Sequence, residues 1–257
     1  MTKKAAQQIS VERIDKLKSW LKQLNIHPPH YLLNKPIEEW QIINEALTHT
    51  SAKLSYNHER LEFLGDAVLR LAAPEFIDRQ FPYMKVGERS ALRSQLVSDN
   101  WLAKVGKNIQ IEKILIIGPK ASKDSSALST LQAEATEAVI GAIYECSKDL
   151  NQINTWLNPY WEKESINVLK DPHRKNYKSA LQEWSQSKGL KLPRYEIEEL
   201  SQEHGDPNRF FCRVQIGEIL IGKGWGGSRK EAEKEAANLA LKDLNNSFHK
   251  LNKTIKN

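Results

Sequence analysis

The chain has 257 residues, 40% of them hydrophobic, with seven tryptophans, which excludes an intrinsically disordered protein and leaves room for one or two domains with their own cores. It carries 38 Lys+Arg against 32 Asp+Glu, a net charge of +6, so a polyanionic partner is admitted but not required. No apolar run is long enough to cross a bilayer, and Met1-Thr2-Lys3-Lys4-Ala5-Ala6-Gln7-Gln8 lacks the apolar centre of a secretory leader; the expectation is a cytoplasmic protein with no membrane partner.

In chain order, Ile14, Leu17, Leu21 and Leu24 alternate three- and four-residue steps, which predicts a helix with one apolar face, ended by Pro28-Pro29. A second helix is expected over 38–48, after Pro36, and a third from about Asn57 to Ala73, where Pro74 perturbs it. Further helical patterns are expected over about 87–105, with Leu92, Leu96 and Leu102 as apolar positions. The serine-rich stretch 118–129 reads as a loop, and Ser129 or Thr130 as the cap of the next helix. A last helix covers about 150–169. Nothing before residue 170 alternates with period two, so this part is expected to be all-α.

The pattern changes at Lys170-Asp171-Pro172. A helix over 177–187 is followed by strand-like runs at 194–198, 210–216 and 219–224, the last two joined by a Gly217-Glu218 turn. Ser228 then caps an Ala-rich helix to about Leu244, with Glu231 completing a capping box. The expected fold is an all-α domain over 8–169 followed by a small α+β domain over 170–245 in the order α-β-β-β-α. The basic stretch 246–257 is expected to be a disordered tail. Cys146 and Cys212 have no metal-ligand spacing and read as reduced thiols.

Two acidic segments carry the chemistry. Glu59, Glu62 and Asp66 fall at i, i+3 and i+7, on one helix face; Glu134 and Glu137, at i and i+3, share a face of another. Both segments are otherwise apolar, and an unpaired buried carboxylate is costly. Such acids either face water or converge on a cation. Two such helices side by side would form an oxygen cluster suited to Mg²⁺, with Mn²⁺ as the alternative.

The run Glu59-Arg60-Leu61-Glu62-Phe63-Leu64-Gly65-Asp66-Ala67, with the lead-in Glu45-Ala46-Leu47-Thr48-His49-Thr50-Ser51, resembles the signature of the ribonuclease III family. The second unit resembles a double-stranded-RNA-binding domain through Leu181-Gln182-Glu183-Trp184, Leu192-Pro193-Arg194-Tyr195 and Ser228-Arg229-Lys230-Glu231-Ala232-Glu233. The resemblance implies a homodimeric, metal-dependent endoribonuclease that cuts duplex RNA to 5′-phosphate and 3′-hydroxyl ends, with ribosomal RNA precursors among its substrates. By the same resemblance Glu62, Asp66 and Glu137 match metal-site acids, Glu137 as the direct ligand and Asp66 orienting ligand waters, and Glu59 lies outside them. Glu134 stands where the family has aspartate; it keeps the charge and adds one methylene. Gln182 and Gln186 would reach a minor groove, while Arg229 and Lys230 at a helix start, with Lys234 one turn on, would meet phosphates. The family's histidine before the second strand is matched by His204, by Asn208 or by neither. The alternative function is a non-catalytic RNA-binding or ribosome-associated protein that kept the fold, against which stands the retention of the whole acid set.

Overall fold

The computed structural model describes residues 9–24, 37–119, 127–171, 173, 175–203 and 205–254. The chain divides between Lys170 and Asp171 into two units, each with its own core.

In the first unit, α1 (Val11–Leu21) starts where Ser10 Oγ accepts the Arg13 N–H at 3.2 Å, and it buries Ile14, Leu17, Trp20 and Leu21. Next come α2 (Ile37–Ala46), α3 (Glu59–Gln80), α4 (Val86–Leu96), α5 (Asp99–Asn108), α6 (Leu128–Ser147) and α7 (Leu150–Leu169). Among its described residues the unit is helical apart from one parallel bridge between Thr48 and Ile116. The helix-ending Pro28-Pro29 and most of the serine-rich loop lie outside the described residues.

Two expectations are corrected, and a third is refined. The third helix does not end near Ala73 but passes through Pro74 to Gln80. Proline removes one backbone donor, yet Phe76 and Ile77 beyond it are buried in the core, and that burial holds the last turns in place. The helical patterns expected over 87–105 fall into two helices, because Ser98 turns the chain and its Oγ accepts the Trp101 N–H at 3.3 Å. Neither Ser129 nor Thr130 caps α6, which already begins at Leu128 behind Ala127, with no side-chain cap.

The central helix is α6. It is buried on almost every side, as its run of Ala133, Ala135, Ala138, Val139, Ile140, Ala142 and Ile143 requires. Its most extensive partner is α3. The two meet backbone to backbone at a pair of glycines. A Cβ on Gly65 would stand 1.9 Å from the Glu137 carbonyl oxygen, and one on Gly141 would stand 2.0 Å from that of Leu61. No side chain larger than hydrogen fits at either point.

In the second unit, α8 (Tyr177–Ser187) precedes the antiparallel sheet β1 (Pro193–Glu199), β2 (Phe210–Ile216) and β3 (Ile219–Gly226), in the order β1-β2-β3. The helix α9 (Arg229–Thr254) closes the unit. Leu181, Cys212, Val214, Ala232, Ala236 and Ala240 form its core. The capping box is present: Ser228 Oγ accepts the Glu231 N–H and Glu231 Oε2 accepts the Ser228 N–H, both at 3.2 Å. The tail expected from residue 246 is instead helical as far as Thr254. No glycine or proline follows Gly227, and Leu241, Leu244, Phe248 and Leu251 keep the helical spacing, so nothing in the sequence stops the helix.

Candidate active site and duplex-binding surface

The glycine contact decides where the acids go. Glu62 and Asp66 lie one turn apart on α3 on either side of Gly65, and Glu137 lies one turn before Gly141 on α6. With the backbones touching, these side chains share one cleft of about 500 Å³, lined by His49, Thr50, His58, Glu59, Glu62, Phe63, Asp66, Glu134 and Glu137. All five acids singled out in the sequence line it; Glu59 is the exposed member at its edge.

The electrostatics show a surplus of negative charge. The Glu137 carboxyl is pushed up to about 8, first by burial and then by the neighbouring carboxylates of Asp66, Glu62 and Asp99, with Arg70 opposing. Glu62 is raised by burial and by Glu134 and Glu59, against the pull of His58. Asp66 is held by Arg70, whose Nε lies 2.6 and 2.8 Å from its two oxygens. An oxygen cluster in which one carboxyl keeps its proton near neutrality fits a hard divalent cation, which would replace that proton. Glu62, Asp66, Glu134 and Glu137 line the cleft where they could hold one.

Two histidines complete the wall, and neither was singled out as a site residue in the sequence. His58 is buried, with Nε2 at 3.1 Å from Glu62 Oε2 and 3.8 Å from Glu134 Oε2. His49 Nε2 lies 3.5 Å from the same Glu134 oxygen. The rings stack at 5.0 Å with 15° between their planes. Burial and the neighbouring His58 lower the pKa of His49, and Glu134 works against them. The available signal was the i, i+4 spacing of His58 and Glu62 at the head of the acidic run.

A pH dependence follows from Glu137. Between its ordinary value of 4.5 and about 8, the folded protein holds a proton that the unfolded chain has released. Metal-free stability therefore falls as pH rises through that window. Glu62, also raised, acts with the same sign. His49, with its lowered value, costs stability only below its ordinary 6.5, so the clean window is pH 6.5 to 8. Saturating Mg²⁺ should remove the decline, and the apparent Mg²⁺ affinity should rise about tenfold per pH unit up to about pH 8. Thermal melts across pH with and without Mg²⁺ measure both effects. A metal-free stability that stays flat across the window would contradict a buried, repelled Glu137.

In the second unit, Gln182 and Gln186 are exposed one turn apart on α8, and Arg229 and Lys230 are exposed at the start of α9. Lys234 is half-buried, its ammonium 5.9 Å from the centre of the Tyr177 ring. Asn208 is exposed in the loop before β2, its N–H bonded to Asp206; His204 lies outside the described residues.

Residues 39–152 match the Ribonuclease-III-like family model and residues 177–244 the double-stranded RNA binding motif. A helical unit with a carboxylate cleft, followed by a double-stranded-RNA-binding unit, defines an endoribonuclease of duplex RNA. Ribonuclease 3 of Prochlorococcus marinus is 55% identical over 249 residues, 96% of this chain and 100% of that one. Ribonuclease 3 2 of a Synechocystis strain is 37% identical over 232 residues, 90% of this chain and 93% of that one. Among solved structures, the nuclease domain of ribonuclease III from Campylobacter jejuni is 27% identical, covers 60% of this chain and 97% of its own, and superposes with a TM-score of 0.48. The chain belongs to the ribonuclease III family.

Proposed function

We propose that this chain is a homodimeric, Mg²⁺-dependent endoribonuclease that hydrolyses duplex RNA at the cleft between α3 and α6, leaving 5′-phosphate and 3′-hydroxyl ends. The observation that carries this reading is the convergence of Glu62, Asp66, Glu134 and Glu137 from two helices, with burial and then the carboxylates of Asp66 and Glu62 pushing the Glu137 carboxyl up to about 8. A divalent ion supplies an acidified water as nucleophile and charge stabilisation for the leaving oxygen. Glu137 would be the principal ligand of such an ion, with Glu62 and Glu134 beside it. Asp66, its oxygens fixed by Arg70, orients the bound waters. Glu59, exposed at the edge, acts on the site through charge alone.

Phe63, 82% exposed beside the acids, and Leu71, 56% exposed further along α3, are large apolar side chains facing water. A second copy is the partner we assign to that face, and it gives each duplex strand its own site. The proposed location is the cytoplasm, where the thiols of Cys146 and Cys212 stay reduced, and the proposed substrates are structured RNA precursors, ribosomal RNA among them. Among the described residues no helix is long and apolar enough to cross a membrane.

In the second unit, Gln182 and Gln186 are assigned to a minor groove and Arg229, Lys230 and Lys234 to backbone phosphates. A protein ending at Lys170 tests the division of labour, because each unit has its own core. The truncated protein should stay folded and bind duplex RNA far more weakly at physiological salt. Its slope of log affinity against log salt should be shallower by about one unit per lost phosphate contact. Low salt should restore cleavage, since the carboxylates are untouched. Equal cleavage by the full and truncated proteins at physiological salt would overturn the assignment of affinity to the second unit.

A further inference from the structure

We propose that the second unit holds a stacking site for an unpaired RNA base, with Trp225 as its platform, at the end of the sheet beside the duplex-binding surface. The inference rests on the assignment of duplex binding to this unit.

The end of β3 offers side chains on one face only. Gly222, Gly224 and Gly226 alternate with Lys223 and Trp225. The glycines lie flush on α9: a Cβ on Gly224 would stand 2.2 Å from the Ala236 nitrogen, and one on Gly222 would stand 2.6 Å from the Ala236 carbonyl oxygen. Successive strand residues point to opposite sides, so Lys223 and Trp225 stand on the face away from the helix. There Trp225 pairs across the sheet with Phe211 of β2, and Lys223 with Arg213. The rings of Trp225 and Phe211 are 4.9 Å apart, and the Arg213 guanidinium lies 4.8 Å from the centre of the Phe211 ring. Phe211, held by both, is 9% exposed, whereas Trp225 is 45% exposed. A stack with an open tryptophan end can be continued by another flat ring.

Position and charge make that ring a nucleobase. A cavity of about 570 Å³ is lined by Trp225 and Gly227, by Gly205 and Pro207 of the loop before β2, and by Tyr177 and Lys234. Lys234 is assigned to a backbone phosphate, so a nucleotide next to the duplex comes within reach of Trp225. Arg213 and Lys223 supply cations on the same sheet face, and the nearby acids are engaged. Glu198 lies 3.6 Å from Arg213, Glu231 Oε2 accepts the Ser228 N–H, and Glu235 accepts a hydrogen bond from Asn238. An aromatic platform flanked by cations binds single strands with little regard to sequence. A base inside a duplex has both faces covered by its neighbours. The occupant is therefore an unpaired base adjoining the duplex.

The test is a binding titration of the full-length protein in chelator, so that no RNA is cut. The probes share one duplex of about 16 base pairs, the span of such a unit. One is blunt, one carries a short unpaired extension on each strand, and one carries the same extensions with the bases removed. The wild type should bind the extended duplex about tenfold more tightly than the abasic one, which has the same phosphates. Trp225→Ala should lose that difference and bind the blunt duplex within about twofold of wild type; Trp225→Phe should keep most of it. In the wild type, 5-iodouridine in the extension should photo-crosslink to Trp225, in the tryptic peptide Gly224–Arg229, and this arm stands even if Trp225→Ala fails to fold. Equal wild-type affinity for extended and abasic probes, or a crosslink confined to other peptides, would overturn the proposal and leave the stack to a protein partner. Equal weakening of blunt and extended binding by Trp225→Ala would overturn it by making Trp225 a structural residue. Failure of the wild type to bind the blunt duplex would strike the duplex-binding assignment itself, and the proposal with it.

Discussion

Glu137→Gln should lower duplex cleavage by about a thousandfold while leaving duplex binding within about twofold. Glutamine matches glutamate in size, so the contact of α3 with α6 is undisturbed. What disappears is the carboxyl group that burial, and then the neighbouring acids, push up to about 8. The RNA affinity is assigned to Arg229, Lys230 and Lys234, which lie in the other unit. The variant should also lose the decline of metal-free stability between pH 6.5 and 8, since the group responsible no longer titrates. A gel-shift assay beside a cleavage assay on the same duplex decides the matter. Near-normal cleavage would remove Glu137 from the chemistry.

The second large effect is expected at a residue with no functional group. Gly141→Ala places a methyl 2.0 Å from the Leu61 carbonyl oxygen, and Gly65→Ala places one 1.9 Å from that of Glu137. The atoms in the way are helix backbone, so the helices themselves must part, by about 1 Å or more. Overpacking of this kind costs about 1–3 kcal/mol, a fall of several degrees in melting temperature for a domain of this size. Moving Glu137 away from Glu62 and Asp66 by that distance should cost about a hundredfold in rate. Gly87→Ala is the control, since a methyl there meets nothing within 4 Å. If Gly141→Ala matched Gly87→Ala in melting temperature and cleavage, the close crossing of α3 and α6 would not be what assembles the site.

The legible parts of the fold were those written in local spacing. The i, i+3, i+7 acids of α3 and the i, i+3 pair of α6 fix which side chains share a face, and both sets line the cleft. The Ser228–Glu231 capping box and the Gly217 turn, with φ of +62°, are likewise local and lie where the sequence puts them. What escaped depends on distant partners. Pro74 reads as a stop until Phe76 and Ile77 are seen to be buried. Ser98 reads as a helix residue until the chain turns there to bring Trp101 against Trp161, 5.8 Å between ring centroids. The glycines at 65 and 141 stand in the acidic runs, but spacing along one helix says nothing about which carbonyl faces them from the other. His58 was overlooked for the same reason: its partners Thr48 and Glu134 come from outside its own helix.

The carboxylate cleft is proposed to make this chain a metal-dependent nuclease of duplex RNA. The most direct measurement is incubation of the purified full-length protein with long, fully paired RNA, in Mg²⁺ and in chelator, beside single-stranded RNA and duplex DNA of the same sequence. The expected result is cutting of duplex RNA alone, only with the metal, and ending in 5′-phosphates and 3′-hydroxyls. Duplex RNA left intact in Mg²⁺, or cut equally well in chelator, would contradict it.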